Sequence, residues 1–271
     1  MHPTAAVPAG CTGRAKRSAG PDAARTRLSY PRATVPDMVN FVLVAGAWLG
    51  ARAWDDVVPE LRAGGHGVLP VTLSGLAERS GVPAGQQTHV QDVVDVVERR
   101  DLRDVVLVGH SYSGYRSVRP PSGSATGCGA WSSSTRTCRR TASRSCPRGP
   151  TAGRPGGGGG IDSRDRGFWA PPTEADCTGQ GLSDEQTGRL IAGSTPHPGA
   201  TLTEPAVLER TVGELPATYV KCLLDGDAPS PDVAELLRGG LWRLVELDTG
   251  HWPMFSRPRE LARVLLDAAV L

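Results

Sequence analysis

The sequence has no run of about eighteen apolar residues, the length a helix needs to cross a bilayer, so no membrane partner is expected. Its six cysteines (Cys11, Cys128, Cys138, Cys146, Cys177 and Cys222) form no C-x-x-C pair. That argues against a zinc or dithiol motif and for free thiols in the cytoplasm, with no metal and no cofactor implied. A strong excess of charge of either sign is lacking as well. The 30 Lys and Arg residues against 28 Asp and Glu leave a net +2, too mild to suggest nucleic acid. Residues 1–37 lack a hydrophobic segment, which excludes a secretory signal, and they lack apolar periodicity. This stretch reads as a disordered arm, although its Arg-rich, acid-poor composition also fits a mitochondrial transit peptide. Organised sequence starts directly after Met38, which reads as the natural start, so residues 38–271 are taken as one domain.

What is present begins with Asn40-Phe-Val-Leu-Val44, an aliphatic run of buried-strand type, followed by the small-residue loop Ala45–Gly50. The spacing predicts a short helix over 54–62, stopped by Gly64-Gly65, and a second strand over 67–73. A further helix runs to Arg100, capped by Thr88, with Val90, Val93, Val94 and Val97 on one face. The strand Val105–Val108 then runs into Gly109-His110-Ser111-Tyr112-Ser113-Gly114. A strand that delivers a serine to a sharp turn among small residues is the sequence form of a nucleophile elbow. The usual pattern is G-x-S-x-G; here Ser113 stands where glycine is usual and Gly114 follows. Strand alternating with helix predicts an α/β fold, a mostly parallel sheet flanked by helices, with its chemistry at the carboxyl ends of the strands.

Phe41-Val-Leu-Val-Ala-Gly-Ala-Trp48, Thr72-Leu-Ser-Gly-Leu-Ala-Glu-Arg79 and Gly109-His-Ser-Tyr-Ser113 together resemble the α/β-hydrolase superfamily. The branch they resemble holds esterases, methyl-ester esterases and plant hydroxynitrile lyases. The resemblance implies an oxyanion hole formed by the backbone N–H groups of Ala47 and Tyr112. It also implies a cap over the pocket, which makes Trp48 and Trp169 candidate substrate contacts. Relatives often carry His-Gly where this chain has Ala45-Gly46.

Beyond Gly114 the pattern fails. A helix and another buried strand are due, and neither can be found in residues 115–160, where Val118 is the sole Val, Leu or Ile. The chain's 34 glycines and 23 prolines are roughly a fifth of its 271 residues, high for a compact domain. They are denser here than elsewhere and include five consecutive glycines at 156–160. The composition is that of an irregular or disordered insertion. Its arginines lack aromatic partners, which speaks against a nucleic-acid tract. We read the tract as the product of a reading-frame shift in GC-rich DNA. Gly129-Ala-Trp-Ser-Ser-Ser-Thr135 can be written GGC GCG TGG TCT TCG TCG ACG, and from its third base that string encodes Arg-Val-Val-Phe-Val-Asp, a strand of the missing type.

Organised sequence resumes near Ile161. Residues 161–205 read as a small cap, with a helix capped by Ser183 and Gln186 at the capping-box position. Strands are expected over 217–224, ending in Asp225-Gly226-Asp227, and over 242–247, ending before His251; a last helix starts at Pro258. Serine becomes a nucleophile when a histidine takes its proton and an acid fixes the histidine's tautomer. Ser111, an acid at Asp225 or Asp227, and His251 follow the chain order serine, acid, histidine, each after a strand. The resemblance favours Asp227, with Asp225 open. His66, His89 and His197 have no partner pattern and read as surface or core residues, and Cys177 and Cys222 as packing. The expectation is a metal-free serine hydrolase for a small to medium apolar ester. The family's lyases use the same three residues on cyanohydrins. A second reading is a damaged copy, inactive or merely ligand-binding, because losing a central strand removes much buried apolar surface.

Overall fold

The computed structural model describes residues 38–116, 129–132, 167–204, 215–226, 228–229 and 231–269. The arm at 1–37 and Asp227 lie outside the described residues.

β1 (Asn40–Val44) is the centre of the first half. Phe41, Val42, Leu43 and Val44 have no exposed surface, as expected of a strand covered on both faces. The expected helix over 54–62 divides into a 3₁₀ turn (Ala51–Trp54) and α1 (Val58–Ala63), with Pro59 in the first turn of α1, where its missing N–H costs nothing. β2 (Gly67–Val71) pairs parallel to β1. α2 (Gln86–Arg99) buries Val90, Val93, Val94 and Val97 as its spacing predicts. Its start corrects the sequence expectation. Gly85 is the N-cap and Thr88 stands three residues on, its hydroxyl accepting from the Gly85 N–H at 3.2 Å. β3 (Val105–His110) pairs parallel to the other side of β1.

Most of the irregular tract, 117–128 and 133–160, lies outside the described residues; the helix and strand not found there in the sequence are each represented by a short described piece. α3 (Tyr112–Arg116) continues the elbow as a five-residue helix. β4 (Gly129–Ser132) fills the place beyond β3, with Val108 opposite Ala130 and Gly109 opposite Trp131. Backbone pairing needs rows of free N–H and C=O groups more than aliphatic side chains, and an open slot in a sheet offers such rows on both sides. Composition reports only side chains, which is why this strand was not expected. The four residues of β4 open the same string whose shifted frame encodes a Val- and Phe-rich strand.

The following segment builds β5 (Phe168–Trp169), α4 (Glu174–Cys177), α5 (Asp184–Ala192), β6 (His197–Pro198) and α6 (Ala200–Thr203). β5 and β6 pair antiparallel as a separate small ribbon. α5 has the expected capping box, Ser183 with Gln186. β7 (Ala217–Cys222) pairs parallel to β4, and after α7 (Pro231–Arg238) β8 (Trp242–Leu247) completes the edge. α8 (Pro253–Ser256) leads into α9 (Pro258–Ala268), which buries Leu261, Leu265 and Ala268. Among the described residues the main sheet runs β2-β1-β3-β4-β7-β8. The strands next to β1 in sequence lie on opposite sides of it, the strand order that places a site at the carboxyl ends of β1 and β3. No described helix is long and apolar enough to cross a membrane.

Candidate active site

The register sets the loop after β1 beside the turn after β3, since Val44 pairs with Gly109. The turn is tight. A Cβ on Gly109 would lie 2.9 Å from the Gly114 Cα, so the first glycine of the elbow is a steric requirement. Ser111 itself has φ +51°, the strained left-handed backbone that lifts its hydroxyl out of the turn. Ser113, the departure from the usual motif, is fully buried and donates its hydroxyl to the Ala45 carbonyl. A glycine there could not tie the elbow to the loop after β1. Gly46 allows the close approach from the other side, since a Cβ on it would meet His110 Nδ1 at 2.6 Å.

Three of the expected residues come together. Ser111 Oγ lies 3.0 Å from His251 Nε2, and His251 Nδ1 lies 2.8 Å from Asp225 Oδ2. With Asp225 ionised, Nδ1 carries the proton and donates it to the carboxylate, so Nε2 accepts from the serine hydroxyl. Asp227 lies outside the described residues. Ala47 is buried in the loop after β1, and Tyr112 is buried at the start of α3. Trp48 and Trp169 form a tilted ring pair with centroids 4.1 Å apart.

Several supporting residues were not identified from sequence. Lys221, fully buried on β7, donates to the Cys222 and Asp225 carbonyls at 2.8 and 3.0 Å, which ties down the turn bearing Asp225. A lysine interrupting an apolar strand was the available signal. Gln180 accepts the His251 N–H at 2.6 Å. His110 Nε2 donates to the His251 carbonyl at 2.6 Å. Burial first, and the neighbouring His251 second, push the His110 pKa down to about 3, against the raising effect of that carbonyl.

The three histidines read as surface or core residues are all buried. His66 Nδ1 accepts from the Val39 N–H at 3.4 Å. His89 bonds the Tyr112 hydroxyl at 2.9 Å and the Ser74 carbonyl at 2.7 Å, and desolvation lowers its pKa. His197 Nδ1 accepts from the Trp48 N–H at 3.3 Å. These are contacts across long stretches of chain and leave no local motif. Cys177 and Cys222 are buried, as the packing role requires.

A model of the alpha/beta hydrolase family matches residues 41–264. A carbendazim hydrolyzing esterase of Nocardioides sp. (strain SG-4G) is 46% identical over 80 residues, 28% of this chain and 33% of that protein. The chain thus matches about a third of the length of this curated relative. Among solved structures, an extracellular alpha/beta-hydrolase from a Paenibacillus species is similar with TM-score 0.65 at 18% identity, over 85% of this chain and 98% of that one. A methylesterase from Arabidopsis is similar with TM-score 0.61 at 19% identity, over the same shares of the two chains. At such identities these structural likenesses concern the fold.

Proposed function

The chain belongs to the alpha/beta hydrolase family, and from that premise we propose that it cleaves small to medium carboxylic esters with Ser111, His251 and Asp225. The observation that carries this is the unbroken relay from the elbow hydroxyl to His251 and on to Asp225, at 3.0 and 2.8 Å. Both lengths are within hydrogen-bond reach, which a nucleophile and its base require. Asp225 takes the place that the family resemblance alone would assign to Asp227.

In this mechanism Ser111 Oγ attacks the ester carbonyl carbon while His251 Nε2 takes the hydroxyl proton. Asp225 holds the imidazole in the correct tautomer and stabilises the imidazolium. Negative charge gathers on the former carbonyl oxygen, which the Ala47 and Tyr112 amides receive. The C–O bond to the alcohol then breaks, and His251 returns the proton to the leaving alkoxide. Water, deprotonated by the same nitrogen, cleaves the acyl-serine and restores the enzyme. The Trp48–Trp169 pair flanks the loop bearing Ala47 and supports an apolar acyl or alcohol group. The activity in the name of the Nocardioides relative places carbendazim in the panel of compounds to try.

The test is fluorophosphonate labelling of the purified chain alongside hydrolysis of p-nitrophenyl acetate and butyrate. Stoichiometric labelling that vanishes in Ser111→Ala is the expected result. Folded protein that binds esters yet neither labels nor turns over would replace this reading with the ligand-binding one.

A further inference from the structure

Trp48 has a positive φ of +68°, rare for a bulky residue and costing on the order of 1–3 kcal/mol unless its surroundings hold it there. The holding contacts come from a segment nearly 150 residues away. The Trp48 N–H donates to His197 Nδ1 at 3.3 Å. The Trp48 carbonyl accepts from the Thr195 N–H at 2.9 Å and from the Thr195 hydroxyl at 3.2 Å, while that hydroxyl accepts the Ala77 N–H at 2.9 Å. His197 has no exposed surface. Because Nδ1 accepts, Nε2 bears the proton and donates to Thr201 Oγ1 at 2.8 Å, and Thr201 donates onward to the Pro198 carbonyl at 2.6 Å. The tautomer is thereby set by its neighbours. The imidazole ring also meets the Tyr112 ring edge-on, with centroids 4.6 Å apart.

These contacts surround one peptide. The amide assigned to the oxyanion is the N–H of Ala47. The peptide before it is held at the Ala45 carbonyl by Ser113, and the peptide after it is held at the Trp48 N–H by His197. An oxyanion hole is effective when its donors need no reorganisation as charge develops. We propose that His197, assisted by Thr195, is a positioning residue that clamps the loop after β1 and so aims the Ala47 amide. The role in catalysis rests on the ester-hydrolase reading above; the clamp itself does not.

The test separates the hydrogen bond from the packing of the ring. Asparagine carries an acceptor the same number of bonds from the backbone as His197 Nδ1, whereas glutamine reaches only the position of Nε2. Both lose the ring contacts. Amide hydrogen exchange at Trp48, read without any substrate, is expected to stay near the unaltered chain in His197→Asn and to accelerate at least tenfold in His197→Gln and His197→Ala. For p-nitrophenyl butyrate, kcat is expected to fall about 10–100-fold in the Gln and Ala variants with KM changed less than about threefold, and to recover in the Asn variant. A trifluoromethyl ketone, which needs the same amide, should weaken in step with kcat/KM. Equal losses in Asn and Gln, or no change in Trp48 exchange in any variant, would overturn the proposal. Thr195→Val, close to isosteric, gives a second reading if the His197 variants do not fold: faster Trp48 exchange supports the clamp, and unchanged exchange sinks it. If the unaltered chain hydrolyses no ester, the functional reading fails while Trp48 exchange still judges the clamp.

Discussion

Among the described residues, the two flanks of the sheet on either side of β3 are built differently. On the β1–β2 side, strands, α1, α2, α8 and α9 enclose two continuous clusters, with Phe41, Leu43, Trp54, Leu61 and Leu265 almost wholly buried. On the β7–β8 side the described cluster holds Ala217, Tyr219, Val233 and Trp242, and Leu223, Leu224, Leu241 and Leu244 are each 40% exposed or more. Ser111 and the loop after β1 grow from the dense flank. His251 leaves the sparse one, but Trp252, Met254 and Phe255 immediately after it pack back into the dense cluster. Asp225 alone depends on the sparse flank, and there Lys221 ties its turn to the backbone. On the proposed reading, nucleophile and base are held by packing, and the acid by polar contacts.

The largest expected effect falls on Asp225. Asp225→Asn should lower kcat about 10⁴-fold by favouring the wrong histidine tautomer, as loss of the acid does in such relays. Asp227→Asn should change it only a few-fold. Steady-state hydrolysis of p-nitrophenyl butyrate by the two variants decides the matter, and the reverse ranking would move the acid to Asp227 and remove Asp225 from the comparison.

Packing comes next. Leu265→Ala, fully buried on α9, should cost about 2–5 kcal/mol in urea unfolding. Leu244→Ala, 40% exposed on β8, should stay within about 0.5 kcal/mol. Equal losses would mean that the flanks are equally dense.

His110 sits on the seam between the two, at the end of β3 and against the His251 carbonyl. Its pKa in the fold is about 3, below the ordinary value of 6.5, so the unfolded chain binds a proton that the folded chain refuses. Stability from this group is therefore fully present above pH 6.5 and is lost as the pH falls from there towards 3. His89, also lowered, acts in the same direction. Urea unfolding across this range should show a slope on the order of 1.4 kcal/mol per pH unit for each such proton. His110→Gln keeps a donor at the same reach and has no proton to gain, so its slope should be shallower. An unchanged slope would mean that the seam is not dry.

The dense flank was also the more legible one. The aliphatic run at Asn40–Val44 marked β1 to the residue, and the valines of α2 named its buried face. The order of Ser111, acid and His251 was readable because each follows a strand. Asp225 and Asp227 are two residues apart in the sequence, and which carboxylate meets an imidazole depends on backbone torsions that composition does not record. β4 was invisible because it fills its slot by backbone pairing, without the aliphatic residues that announce a strand. Lys221, Gln180 and His197 act through contacts with distant or backbone groups, so no spacing rule points to them.

A finer contrast lies inside the dense flank, at the residue where this chain departs from the usual elbow. Ser113 is fully buried and donates to the Ala45 carbonyl. Ser113→Ala removes that donor and leaves the acceptor without it in a place closed to water, at a cost of about 1–3 kcal/mol. Ser113→Gly restores the residue usual in the motif, yet it loses the same bond and adds up to about 1 kcal/mol of backbone entropy relative to alanine in α3. Glycine should therefore be no better than alanine, although motif matching alone would rank it first. Thermal or urea unfolding of the two variants measures this directly. If glycine proves the most stable, Ser113 is a tolerated departure and the dense flank does not need the tie; if both variants lose stability with alanine ahead, the serine is a structural part of this elbow.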